Sequence, residues 1–198
     1  MNIAIILYNG FDNLDAIGPF EVFNHARTSG ADVKVGLYTL TRQEVVTSSH
    51  GLRIQPDGVL PSNPDLVVVP GGGWGNRAKK GAWAEAERGD LPEALARMHA
   101  DGITIASVCT GGMLLAKAGI TNGRPAVTHQ CALDDLQESG SRVVDARVVD
   151  DGDIVTAGGI TSGIDLALHF IEREISRDVA TQVAATMEYN PHGEVYER

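Results

Sequence analysis

The chain has 198 residues, 43% of them hydrophobic and 21% charged, a formal net charge of −10 and a pI of about 4.9. This length predicts a single domain with a full hydrophobic core, and the acidic balance argues against nucleic acid or a membrane surface as a partner. Two cysteines exclude a disulfide framework and favour a reducing, cytoplasmic compartment. We expect neither a signal peptide nor a membrane span, because no run resembles the first or approaches the ~20 apolar residues of the second.

Short β-branched runs alternate with helical stretches from the start of the chain. We predict strands at 3–8, 33–39 and 66–69, a helix at 13–27, and a small hairpin from 45–46 and 52–54. Residues 71–89 are rich in Gly, Lys and Arg, and they predict an exposed loop or short helix over a site.

The alternation continues to the end of the chain. We predict helices at 91–100, 110–118, 132–138, 161–175 and 178–187, strands at 103–108 and 126–127, and antiparallel strands at 143–149 and 153–156. This pattern predicts an α/β fold with a mostly parallel central sheet. In such sheets ligands bind outside the carboxyl ends of the strands.

Cys109 is the most informative residue of the chain. It lies where the apolar run 102–108 ends and a helix begins after Gly111 and Gly112. A helix N-terminus is one place where the pKa of a thiol falls, and a sharp strand-to-helix turn is the geometry of a nucleophile elbow. The alternative is a buried structural cysteine that behaves as a small hydrophobe. The flanking pattern favours the nucleophile.

Two other segments are expected at the same edge of the sheet. The turn Gly71-Gly72-Gly73 follows the strand at 66–69, and its N–H groups could bind a developing negative charge or merely form a tight turn. Asp15 follows the first strand, and its carboxyl group either faces this crevice or favours the start of a helix.

Several further residues have two interpretations. His129 either faces the site or is a structural histidine, and Trp74 either walls the pocket or covers the core. Cys131 is expected to pack near a helix start, with a resolving-thiol role as the alternative. Four aspartates are expected to be solvated: Asp134, Asp135, Asp150 and Asp151. We predict no metal and no nucleotide cofactor, because no cluster has metal-ligand spacing and no glycine motif matches a dinucleotide or phosphate loop.

Five segments resemble the ThiJ/PfpI superfamily and, within it, the isonitrile hydratase branch and the related sensor domains of AraC-type regulators. They are 11–23, 69–72, 107–111, 127–129 and 158–165. The resemblance implies a flavodoxin-like three-layer sandwich over residues 1–189, a tail at 190–198 and a homodimer. It also implies that the Asp15 carboxyl hydrogen-bonds the Cys109 sulfur, and that the amides of Gly72 and Thr110 are oxyanion donors.

The resemblance also helps to choose among the activities of the superfamily. The protease-like branch has His after the nucleophile, whereas this chain has Thr110, and no late His-x-Glu pair of an amidotransferase lies in the helix that contains His169. We therefore expect an isonitrile hydratase-like lyase with Cys109, Asp15 and Thr110 as catalytic residues. Gly72, Gly73, Trp74 and His129 are expected to bind the small-molecule substrate. A ligand- or redox-sensing domain and a glyoxalase or deglycase remain alternatives.

Overall fold

The computed structural model describes residues 1–198. Its strands are β1 (Asn2–Leu7), β2 (Lys34–Thr39), β3 (Val46–Thr47), β4 (Arg53–Ile54), β5 (Gly58–Val59), β6 (Leu66–Val69), β7 (Thr104–Val108), β8 (Pro125–Ala126), β9 (Arg142–Val143), β10 (Val148–Asp150), β11 (Ile154–Ala157) and β12 (Val195–Glu197). Its helices are α1 (Asn13–Thr28), α2 (Ala82–Arg88), α3 (Asp90–Ala100), α4 (Gly111–Lys117), α5 (Leu133–Glu138), α6 (Ser162–Glu174) and α7 (Arg177–Thr186).

The predicted α/β architecture is confirmed. Eight strands form one sheet in the order β12-β10-β11-β7-β6-β1-β2-β5, and every pair in it is parallel except β10 with β11. Central strands such as β6, with the sequence LVVV, are buried along their whole length. Continuous apolar runs of this kind are typical of parallel strands that are covered on both faces.

Helices cover both faces of the sheet and make the expected three layers. α1 packs with α6 and α7, whereas α2, α3 and α4 pack with one another. One hydrophobic core of 46 buried residues runs through these layers. Asp12 begins α1 as its N-cap, because its side chain accepts a hydrogen bond of 3.1 Å from the Leu14 amide. No helix is both long enough and apolar enough to cross a membrane.

The structure differs from the predicted elements in three places. The strand predicted at 143–149 is split, because β9 pairs with β8 in a separate two-stranded sheet and β10 pairs with β11. The unpredicted β5 extends the sheet beside β2. Within the predicted tail at 190–198, β12 pairs with β10 at the sheet edge. Such short strands depend on a partner rather than on a local sequence pattern.

Asp150 and Asp151 are not solvated as predicted. Both are buried: Asp150 ends β10 and pairs with Arg173 at 2.7 Å, and Asp151, the first residue after β10, pairs with Arg124. Buried carboxylates need such partners, because an unpaired charge is costly in the interior.

Candidate active site

Cys109 lies at a strained turn between β7 and α4, as predicted. Its φ of 56° is in the left-handed region, which costs a residue other than glycine roughly 1–2 kcal/mol. The Cys109 amide donates to the carbonyls of Ala157 and Gly158 at 3.1 and 2.7 Å, and the Cys109 carbonyl accepts from Thr128 Oγ1 at 2.8 Å. These bonds hold the strained backbone in place before any substrate binds.

Two glycines allow the turn after β6 to approach this elbow closely. A Cβ atom on Gly71 would lie 2.4 Å from the Thr110 nitrogen, and one on Gly111 would lie 2.1 Å from the Val69 carbonyl oxygen. Neither distance is compatible with a side chain. The contact explains why glycine occupies both positions in these two turns.

Asp15 lies at the end of the first turn of α1 and is fully buried. Its Oδ2 accepts a hydrogen bond of 2.8 Å from the Gly71 amide, while Oδ1 accepts none from an N–H or O–H group. Burial, with a smaller contribution from the charge of Asp12, raises the Asp15 pKa to about 8. The hydrogen bond from the Gly71 amide and the nearby Cys109 thiol oppose this rise.

The pKa of the Cys109 thiol is also raised, although a helix N-terminus favours the thiolate. Burial is the largest cause, the Asp15 charge adds to it, and the Thr110 amide only partly offsets the two. Cys109 is 5% exposed, so water stabilises its thiolate poorly. A thiol of this kind needs a base, and the Asp15 carboxyl group is the neighbouring one.

The Gly72 amide, implied to be an oxyanion donor, is already engaged. It donates to Thr110 Oγ1 at 2.9 Å. The Thr110 hydroxyl therefore receives a hydrogen bond and keeps its own proton to donate elsewhere. The Gly73 amide makes no hydrogen bond within the protein. The Thr110 hydroxyl and the Gly73 amide therefore remain available to a substrate on this wall, and the Thr110 amide faces the Cys109 sulfur.

A cavity of about 570 Å³ opens beside the nucleophile. Its wall contains six of the residues predicted from the sequence: Gly72, Gly73, Trp74, Cys109, Thr110 and His129. Asp15 lies behind the wall, where it can reach Cys109 but is shielded from solvent. The structure therefore brings the predicted catalytic residues together.

Trp74 is a fixed part of this wall. Its Nε1 donates to Asp135 Oδ2 at 2.6 Å, and its ring meets the ring of Trp83 edge to face at a centroid distance of 5.0 Å. Asp135 is exposed, as expected, and in addition accepts this hydrogen bond. Such an arrangement holds an indole in one orientation.

The tautomer of His129 follows from one hydrogen bond. Its Nδ1 accepts from the Cys131 amide at 3.1 Å, so the neutral ring carries its proton on Nε2. Cys131 lies in a 3-10 turn just before α5, as expected, but it is exposed. Both cysteines are free thiols and both line the cavity.

Sequence reasoning missed several residues of the site. The Tyr8 hydroxyl, buried directly after β1, bonds the carbonyl of Pro70 and lies 3.3 Å from that of Gly71, which braces the turn after β6. Burial raises the Tyr8 pKa and keeps the hydroxyl protonated. Asp12, His50 and Lys80 also line the cavity. The only sequence feature that could have indicated these three residues is their position in loops that follow strands. No group of three or more His, Cys, Asp or Glu side chains is placed to hold a metal ion.

Comparisons with known proteins show which proteins this chain resembles. The sequence profile described as DJ-1/PfpI family matches residues 1–173. The chain is 35% identical to an isonitrile hydratase from Pseudomonas putida over 193 residues, which cover 96% of this chain and 79% of that protein. It is 28% identical to a deglycase from Pyrococcus abyssi over 161 residues, covering 79% and 89% of the two chains.

The fold has a close structural counterpart. The crystal structure of a ThiJ/PfpI family protein from Pseudomonas syringae matches with a TM-score of 0.85 and 28% sequence identity. The match covers 96% of this chain and 76% of that one.

Proposed function

Because the chain belongs to the DJ-1/PfpI family, we propose that it is an isonitrile hydratase-like lyase that converts a small organic isonitrile into an N-substituted formamide. One observation carries the proposal. A fully buried aspartate with a pKa of about 8 lies beside a strained cysteine, in a chain that is 35% identical to an isonitrile hydratase. A carboxyl group with a pKa near neutrality is suited to both accepting and returning a proton.

The first step forms a bond between Cys109 and the substrate. Asp15, as the carboxylate, takes the thiol proton, and the sulfur attacks the terminal carbon of the isonitrile. Asp15 then returns the proton to that carbon. The S–H bond is replaced by an S–C and a C–H bond, and the product is a thioimidate. Thr110 and Gly73 supply hydrogen bonds to the charge that develops on the substrate.

The second step consumes water. Water adds to the thioimidate carbon, one of its protons passes to the nitrogen, and the S–C bond then breaks. The formamide leaves, and Cys109 recovers a proton through Asp15. One water molecule is consumed for each isonitrile, and no oxidant or reductant is required.

The test is direct measurement of formamide from an aryl or cyclohexyl isonitrile by NMR. We expect Cys109→Ala to lower kcat/KM by more than about 1000-fold, as removal of a nucleophile does. Cys131→Ser, the matched change at the other thiol, should retain turnover. Absence of formamide with the unmodified protein, or equal activity in Cys109→Ala, would refute the proposal.

A deglycase or glyoxalase activity is the second candidate, and the 28% identity with the Pyrococcus abyssi deglycase favours it. The same thiol would attack the carbonyl carbon of a 2-oxoaldehyde. Comparison of kcat/KM for an isonitrile and a 2-oxoaldehyde separates the two activities. A sensor without turnover is less well supported, because burial raises the Cys109 pKa and oxidation by peroxide requires the thiolate.

The chain is also proposed to form a homodimer in the cytoplasm. Two unpaired thiols support a reducing compartment. Leu14 on α1 and Ile160 on the cavity wall are each 36% exposed, and a second copy could cover them. Light scattering should give twice the 21.0 kDa mass of one chain. The mass of a single chain would contradict the dimer.

A further inference from the structure

The wall of the active-site cavity contains several hydrogen-bond donors that make no bond within the protein. Beside Cys109 the Gly73 amide has no acceptor within the protein, and the Thr110 hydroxyl retains its proton because it already accepts from Gly72. The neutral ring of His129 adds an Nε2–H group, because Nδ1 accepts from the Cys131 amide. Each of these three groups therefore has a proton to donate and no acceptor for it within the protein.

The cavity wall also contains a lysine without a counter-charge. Lys80 forms no ion pair. Its side chain is exposed, but its backbone is held against the turn after β1. A Cβ atom on Gly10 would lie only 2.6 Å from the Lys80 carbonyl carbon. The side chain of Lys80 therefore begins at a fixed point on the rim of the cavity.

The one carboxylate on the wall is already committed elsewhere. Asp12 Oδ1 accepts from the Leu14 amide to cap α1, and Oδ2 faces His50 Nδ1 at 4.0 Å. The wall therefore has three donors without an acceptor in the protein, one lysine without an ion pair, and one carboxylate that already accepts a hydrogen bond.

We propose that the substrate of this site bears a carboxylate group in addition to the reacting carbon, and that Lys80 and His129 select it. The inference rests on the proposed function only in taking the reacting group to be an isonitrile. The preference for an anion does not depend on that function. An anionic, acceptor-rich substrate matches the donors of the wall, whereas a purely apolar one would leave them without partners.

The first experiment compares isocyanoacetate with its uncharged methyl ester. The unmodified protein should favour the carboxylate in kcat/KM, mainly through a lower KM. Lys80→Gln should reduce the carboxylate-to-ester ratio roughly fivefold, the effect of losing about 1 kcal/mol from an exposed ion pair. Lys79→Gln is the matched control, because Lys79 is exposed on the same loop but does not line the cavity. It should leave the ratio unchanged.

The second experiment does not depend on isonitrile chemistry. In the Cys131→Ser protein, the rates of Cys109 alkylation by iodoacetate and by iodoacetamide are measured by mass spectrometry. The ratio of the two rates should exceed that of free N-acetylcysteine by roughly fivefold, and Lys80→Gln should bring it back to the free-thiol ratio.

The two experiments separate the two proposals. If no isonitrile is hydrated but Cys109 still prefers iodoacetate, the proposed function fails and the anionic preference stands. If the ester is hydrated as well as the carboxylate and Cys109 shows no preference for iodoacetate, the hydratase stands and the anionic preference is wrong. An equal loss of ratio in Lys79→Gln would show that general charge, and not the cavity, attracts the anion.

Discussion

Asp15 is the residue whose protonation governs both the chemistry and the stability of the site. Its full burial favours the neutral acid, and the Gly71 amide and Cys109 thiol compensate only in part. The folded protein binds this proton up to about pH 8, whereas the unfolded chain releases it near pH 4. Under the proposed mechanism, this proton is the one that passes between Asp15 and Cys109, so an acid that destabilises the folded protein at neutral pH has a use at the site.

Replacing Asp15 by Asn should stabilise the protein in a pH-dependent way. Because the Asp15 pKa is raised in the folded protein, its contribution to the free energy of unfolding is fully present below about pH 4. This contribution is lost as the pH rises to about 8. Asn cannot ionise, and its side-chain oxygen can still accept from Gly71. The free energy of unfolding of Asp15→Asn should thus exceed that of the parent by an amount that grows across this window, to on the order of 3–5 kcal/mol.

Urea denaturation at pH 4, 6 and 8 measures this difference. Asp134→Asn is the control, because Asp134 is exposed on α5 and should show no such growth. A constant difference between Asp15→Asn and the parent at all three values would contradict a raised Asp15 pKa. Asp15→Asn should also lose turnover, since the amide cannot accept the thiol proton.

The residues of the elbow and of the turn after β6 could be predicted from the sequence, but their electrostatics and the further wall residues Asp12, His50 and Lys80 could not. Cys109 follows a buried apolar run and precedes two glycines, which fixes its place at a turn. The direction of its pKa shift depends on burial and on Asp15, which are properties of the assembled fold. The engagement of Gly72 by Thr110 likewise depends on two turns meeting in space.

At the scale of elements, the site is made by the contact between the turn after β6 and the elbow after β7. Gly71 supplies the contact through its amide to Asp15 and through the missing side chain that lets Thr110 approach. The Tyr8 hydroxyl bonds the Pro70 carbonyl and lies 3.3 Å from the Gly71 carbonyl, so it holds the backbone of the same turn. The turn thus connects the acid to the nucleophile.

Gly71→Ala should separate these two turns. Its Cβ would lie 2.4 Å from the Thr110 nitrogen and 2.5 Å from Thr110 Oγ1, so the backbone has to move. We expect a loss of more than about 2 kcal/mol in the free energy of unfolding, as for other overpacked sites, together with loss of turnover. Gly58→Ala in β5 is the matched control, because no atom lies within 4 Å of its added Cβ. Similar thermal stability of the two variants would refute the close-contact argument.

The order and type of the long elements could be read from the sequence, while the short strands could not. The apolar runs of β1, β6 and β7 and the helical periodicity of α1 and α6 are local signals. In contrast, β9 and β12 have only two and three residues, and each exists because a neighbouring strand completes its hydrogen bonds. Predicting them requires the tertiary arrangement.

At the scale of the whole molecule, buried ion pairs join the sheet edge to the helical layer far from the cavity. Asp150 on β10 accepts from His169 Nε2 at 2.6 Å and from Arg173 at 2.7 Å, both on α6. Burial acts to raise the Asp150 pKa, but these hydrogen bonds and one from the Gly152 amide outweigh it and lower the pKa to about 2.

Asp150→Asn should destabilise the protein at neutral pH by about 2 kcal/mol, the scale of hydrogen bonds to a buried charge. Because the folded-state pKa is lowered, this stability is present above about pH 4 and is lost as pH falls through about 2. The difference between the parent and Asp150→Asn should therefore shrink on acidification. Glu93→Gln is the control, because Glu93 pairs with Arg97 on the surface and its side chain is 75% exposed. It should change the free energy of unfolding very little. An equal effect of the two changes would contradict this assignment.

The parallel pairing of β1, β6 and β7 also has a consequence for how the chain folds. Asp15 and Gly71 are 56 residues apart in the sequence, and Gly72 and Thr110 are 38 apart. Parallel strands can pair only after the crossover between them has closed, and such distant contacts slow folding. The nucleophile and its base therefore come into contact late, when the centre of the sheet assembles. During refolding, the thiol should remain as reactive as any exposed cysteine until that step, and then become protected as Asp15 takes its place beside it.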